Sequence, residues 1–140
     1  MNEEISNRFH IHSGVPQGSI LGPLLHVVYT SDLPTSRETT VGTFADHTAI
    51  FAIHKDPTIS PLNLQEHLHS IEKWLKKWKI KVSKSKSLHI TFTLRKGHCP
   101  AININQTIIP QREAVNYLGL RFDCGLNWKE HIAKKEKKST

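Results

Sequence analysis

A carboxylate on the tip of a β-hairpin is exposed by the turn and held rigidly by both strands. Asp46 reads that way, because Val41 to Ala45 and Thr48 to Ile53 are short β-prone runs that meet at Asp46-His47. Such a group can reach a divalent cation. Two Mg²⁺ ions about 3.5–4 Å apart, held by carboxylates from separate parts of a chain, are the machinery of phosphoryl transfer. One ion activates the attacking hydroxyl, and the other steadies the triphosphate and leaving group. Taken alone, Phe44-Ala45-Asp46-His47 reads better as a turn capped by aspartate. The segment upstream reverses that preference. Gly14-Val15-Pro16-Gln17-Gly18-Ser19-Ile20-Leu21-Gly22-Pro23-Leu24-Leu25 sets glycines and a glutamine ahead of an apolar helix, a shape suited to backbone contact with a flat, polar ligand.

The elements that must position these residues follow from spacing. Arg8 to Ser13 alternates in the manner of a short strand, and 14–18 is loop. A helix is expected from Ser19 to about Asp32, with Pro23 in its opening turns and Pro34 closing it. A second helix takes Ser60 as N-cap and Pro61 as first helical residue. Leu64, Leu68, Ile71, Leu75 and Trp78 form its apolar stripe, widened by Trp74. Core packing accounts for both tryptophans better than base stacking does. Leu88 to Leu94 alternates as a strand, Asn105-Gln106 fits a two-residue turn between short strands, and Tyr117 to Phe122 reads as one more strand. Gln106 is a poor residue for a positive φ. The order of elements predicts an α+β fold.

At 140 residues the chain can build one domain with a core, and its net charge of +7 favours a polyanionic partner, nucleic acid before membrane. Nine Lys or Arg residues lie between Glu72 and Lys96 against one acid, a strip that fits a phosphate backbone with salt-dependent affinity. Cys99 and Cys124 read as free thiols. The ten histidines lack metal-ligand spacing and read as scattered surface residues. The acidic N-terminus shows no secretory leader, and the longest apolar run, Ile20 to Tyr29, is too short to span a bilayer. The expectation is an intracellular protein, the nucleus included, with no membrane partner.

Gly14–Leu25 and Phe44–His47 together resemble motifs B and C of the reverse transcriptase palm in jockey-like non-LTR retrotransposons. Thr30-Ser31-Asp32-Leu33-Pro34 is similar to the end of the motif B helix. Trp74 to Lys86, continuing into Leu88 to Leu94, resembles motif D. Tyr117-Leu118-Gly119-Leu120 with Asp123 resembles motif E, the primer-grip hairpin, and Leu126-Asn127-Trp128-Lys129-x-His131 the start of the thumb. The resemblance implies an RNA-directed DNA polymerase acting on an RNA template and a DNA primer with Mg²⁺. It makes Asp46 a catalytic metal ligand, Gln17 and Gly18 contacts to template or nucleotide, and Lys86 a general acid or charge clamp near pyrophosphate; a solvated lysine stands beside that last reading. It also implies a partial palm over residues 1–125 and, over 126–140, the start of a thumb with a basic, disordered tail.

Three departures set the expectation for activity. Motif A, source of the other essential aspartate, has no counterpart in the thirteen residues before Gly14. His47 stands where the second motif C aspartate is usual, and a neutral, softer imidazole matches Mg²⁺ poorly. Ser83 replaces the usual motif D asparagine. A catalytically inactive reverse transcriptase fragment is therefore expected, with a small basic nucleic-acid-binding module as the alternative. Without a motif A strand beside it, the Asp46 hairpin should also keep an open edge prone to self-association.

Overall fold

The computed structural model describes residues 14–16, 18–93, 99–128 and 131–133. Its elements run α1 (Leu21–Thr30), β1 (Thr39–Phe44), β2 (His47–Ala52), α2 (Ile59–Trp78), β3 (Ile102–Ile104), β4 (Thr107–Ile109), β5 (Ala114–Tyr117) and β6 (Leu120–Asp123). Each consecutive strand pair forms an antiparallel hairpin, so the fold is α+β as expected. Arg8 to Ser13, Gln17, Leu94 and the tail from Lys134 lie outside the described residues. No described helix is long and apolar enough to cross a membrane.

The chain divides after Leu33 into two units. The first contains the glycine-rich loop and α1. Ser19 N–H donates to Pro16 O at 3.0 Å, and the Ser19 hydroxyl accepts from Leu21 N–H at 3.2 Å, which starts the helix. The helix begins two residues after the expected Ser19. It ends at Thr30, where the hydroxyls of Thr30 and Ser31 bond back to the carbonyls of His26 and Val28.

In the second unit, α2 is the organising element. It starts earlier than Ser60, because Asp56 rather than Ser60 orders the entry: its Oδ1 accepts from the Thr58 N–H at 2.9 Å and the Thr58 hydroxyl at 2.7 Å. Pro61 still falls in the first turn, where its missing N–H costs nothing. Leu68, Ile71, Trp74 and Leu75 are buried, together with Ile102 and Ile104 of β3 and Val115 of β5. The stripe read from the sequence is thus the core-facing side, and Trp74 is a core residue.

Polar side chains at the margin of that stripe seal the edge of β3. The Gln65 carboxamide accepts from Asn103 N–H at 2.8 Å and donates to Asn103 O at 3.0 Å, and a Glu72 carboxylate oxygen accepts from Asn105 N–H. In effect α2 supplies the bonds of a neighbouring strand. Asn105 and Gln106 form the expected turn, both left-handed at φ 47° and 60°. Asparagine tolerates that region, but glutamine does not favour it. Gln106→Gly is expected to stabilise the chain by about 1 kcal/mol, read as a rise in the urea midpoint at constant slope.

Two expectations need correction. Tyr117 to Phe122 is not one strand: the chain reverses at Leu118 and Gly119, at φ 49° and 80°, and the halves pair as β5 and β6. Alternation of apolar residues missed a tight turn that places a glycine in its second position. Residues 88–93 form no strand either. They make an isolated bridge, His89 with Gln111, and bonds from His89 N–H to Pro110 O and from Arg112 N–H to His89 O. On one side Pro110 has no N–H to extend the ladder, and on the other Thr93 N–H bonds Cys124 O at 3.0 Å, so the pairing stays a single bridge.

Candidate metal and nucleotide site

The β1–β2 register pairs Phe44 with His47, leaving Ala45 and Asp46 as the two-residue turn. Ala45 adopts a left-handed φ of 49°, and the Asp46 side chain stands 87% exposed at the apex. The hairpin is fixed from behind by α2, which packs on both strands. Among the described residues this sheet has two strands.

His47 is the nearest partner of Asp46. Its Nδ1 lies 3.0 Å from Asp46 Oδ1. That hydrogen bond is the largest of the causes holding the Asp46 carboxyl below its ordinary 3.8, with a backbone hydrogen bond and the field of His47 adding to it. Lys86 contributes the weakest attraction of the same sign. The lysine sits in a tight turn. Ser83 O accepts from Lys86 N–H at 3.1 Å, Ser87 N–H at 3.0 Å and the Ser87 hydroxyl at 2.9 Å. The neighbouring Lys84 ammonium donates to Thr107 Oγ1 at 2.6 Å, tying this turn to β4.

The donor set does not fit a pair of Mg²⁺ ions. Among the described residues no three His, Cys, Asp or Glu side chains converge. Asp46 offers one carboxylate, and its hydrogen-bonded partner is an imidazole. Hard oxygen donors are what Mg²⁺ requires.

Gly18 and Gln17 belong to the other unit. Gly18 takes φ 82°, with open space where a Cβ would stand. A side chain there would be strained by the backbone, so glycine is required by conformation. Gln17 lies outside the described residues.

Several polar residues with structural duties gave weaker signals in the sequence. His67 is buried, contrary to the surface reading of the histidines. Its Nε2 donates to Pro34 O at 2.8 Å, and its Nδ1 is hydrogen-bonded with the Thr39 hydroxyl. Its position between Leu64, Leu68 and Ile71 in the helical repeat was the available clue. Asp123 organises the segment after β6. Its carboxylate accepts from Gly125 N–H at 3.0 Å, Asn127 N–H at 3.0 Å and Trp128 N–H at 3.1 Å. Trp128 then packs on Phe122, ring centroids 5.4 Å apart.

Those bonds, the Asn127 N–H first, hold the Asp123 carboxyl below 3.8. A depressed value in the folded state means the stabilisation is present above the unfolded value and disappears as pH falls through the folded one. Acidification below about pH 4 should loosen the 124–128 turn, and Asp123→Asn should loosen it at neutral pH. Amide exchange at Asn127 and Trp128 reads both. Protection at these sites that is indifferent to pH and to the substitution would contradict the assignment.

Residues 1–122 match the family profile described as reverse transcriptase (RNA-dependent DNA polymerase). The chain is similar to the RNA-directed DNA polymerase from mobile element jockey of Drosophila melanogaster, 35% identical over 130 residues, covering 87% of this chain and 14% of that protein. The jockey protein of Drosophila funebris is 32% identical over 130 residues, with the same coverage of both chains. A probable RNA-directed DNA polymerase from transposon X-element of Drosophila melanogaster is 32% identical over 133 residues, covering 91% of this chain and 15% of that protein. The chain thus spans about one seventh of the length of these relatives. No solved structure matches it significantly.

Proposed function

The chain belongs to the reverse transcriptase family, and from that premise we propose that it is a palm segment of a jockey-like RNA-directed DNA polymerase whose metal site is not competent for nucleotide addition. In this reading residues 1–125 are the partial palm and 126–140 the start of the thumb with a basic tail. Asp46 is the surviving motif C ligand, Lys86 the motif D cation, and Gln17 and Gly18 the template or nucleotide contact. RNA template, DNA primer and Mg²⁺ are the partners such a palm would engage.

One observation carries the proposal. The apex that should offer two carboxylates offers one, and His47 already occupies an oxygen of it. The resident imidazole competes with any cation for Asp46 and supplies no hard donor in exchange. Primer extension by the isolated chain with Mg²⁺ or Mn²⁺ is the test, and the expected result is no incorporation.

A second reading is nucleic-acid binding without catalysis. It is favoured by the exposure of all seven lysines from 73 to 86, a stretch that contains no acidic residue.

A further inference from the structure

We infer that the exposed face of the C-terminal half of α2, together with the segment that follows it, is a docking surface for nucleic-acid phosphates built from Lys73, Lys76, Lys79 and Lys81. The inference rests on the binding reading above and adds a place, a chemistry and independence from the Asp46 apex.

Lys73 and Lys76 lie on the side of α2 opposite the buried Leu68, Ile71, Trp74 and Leu75. Lys79 and Lys81 extend the row past the helix end. None of the four makes an ion pair among the described residues. The nearest acid in sequence, Glu72, lies one helical turn before Lys76 and spends one carboxylate oxygen on Asn105 N–H. Lys84 and Lys86 have other engagements, with Thr107 and with the field of Asp46. What remains is an excess of positive charge, a lysine ridge along the last turns of a packed helix and just past its end, where four exposed lysines are set against Glu66 and Glu72 as the acids of that stretch.

Lys79 adds an independent sign. It ends α2 at φ 55°, with its N–H directed to Leu75 O and Lys76 O and the Ile80 N–H bonded to Leu75 O at 2.9 Å. Glycine is the residue this helix-terminating geometry favours. A lysine there adds charge where backbone stability would select its absence, the pattern of a functional residue.

Phosphates of nucleic acid suit the ridge better than a lipid surface does. A helix that lies on a membrane sinks an apolar face into it. The apolar face of α2 is buried against protein. Leu62 on its outer face is eleven residues and about 16 Å of helix rise from Lys73, and within the lysine segment the exposed large apolar side chain is Ile80, a single residue rather than an apolar face.

The test measures binding of the full chain to a labelled DNA duplex and an RNA–DNA hybrid across a salt series, with EDTA present and absent. Lys73→Gln/Lys76→Gln/Lys81→Gln should reduce the salt slope on duplex by about 2.7, at about 0.9 for each phosphate no longer neutralised. A control that removes equal charge elsewhere, Arg37→Gln/Lys55→Gln/Arg112→Gln, should retain the slope. Lys79→Gly should weaken binding while raising the thermal midpoint, so it stays informative even if the triple variant folds poorly. EDTA should have no effect. The proposal is overturned by absence of binding at low salt, by equal losses in ridge and control variants, by an unchanged slope in Lys79→Gly, or by preference for anionic vesicles or polyglutamate over DNA at matched charge. Nucleotide incorporation would refute the inactive-palm reading and leave the ridge standing, so the two failures are distinguishable.

Discussion

The isolated chain, given primer-template, deoxynucleotides and Mg²⁺ or Mn²⁺, is expected to extend no primer, and His47→Asp alone is expected to leave it silent. The reason lies in the number of carboxylates. Two-ion catalysis needs oxygens from more than one residue to hold both cations in line with the transferring phosphorus. Asp46 is a single carboxylate hydrogen-bonded to His47, and restoring one neighbour still leaves the pair short of the ligand that a motif A strand provides. The two deficits separate when this segment replaces its counterpart in an active relative that carries motif A. There the His47 version should remain inactive, and His47→Asp should recover incorporation by roughly 10²–10⁴-fold, since a bound metal contributes several kcal/mol at the transition state and about 1.4 kcal/mol is tenfold in rate. Incorporation by the isolated chain that vanishes in Asp46→Asn would sink the proposal. So would a replacement enzyme whose activity is the same with His47 as after the His47→Asp change.

Legibility in the sequence followed how local each determinant is. The stripe of α2 could be read because four core residues recur at helical spacing, and the Asp46 hairpin because two β-prone runs flank it. The β5–β6 reversal was hidden from periodicity, yet the resemblance of Tyr117-Leu118-Gly119-Leu120 to a hairpin motif pointed to it, and the positive φ of Leu118 and Gly119 shows where the chain turns. Long-range polar bonds were the least legible part. Gln65 with Asn103, Glu72 with Asn105 and His67 with Pro34 join residues more than thirty positions apart, with nothing in local spacing to match the partners. The role of Lys86 is of the same kind: family resemblance implied a place near pyrophosphate, whereas residue spacing alone left Lys86 one solvated lysine among several.

Trp74→Ala should be the most damaging single truncation, costing about 3–5 kcal/mol against a total of about 5–15 kcal/mol typical of a domain. Among the described residues the core is small, and four of its seven buried apolar residues come from α2. Ile102 and Ile104 face that helix from β3, so a cavity at Trp74 loosens the α2–β3 packing on which Gln65 and Glu72 depend. The consequence reaches the site. β3 carries β4, β4 holds Lys84 through Thr107, and Lys84 anchors the turn that presents Lys86. Trp78, half-exposed at the helix end with Lys77 5.0 Å above its ring, leaves a far smaller void when cut to alanine, and about 1 kcal/mol is expected there. Urea unfolding of both variants, followed by far-ultraviolet circular dichroism, measures the contrast. Equal losses at the two tryptophans would mean that α2 does not pack as its buried stripe indicates.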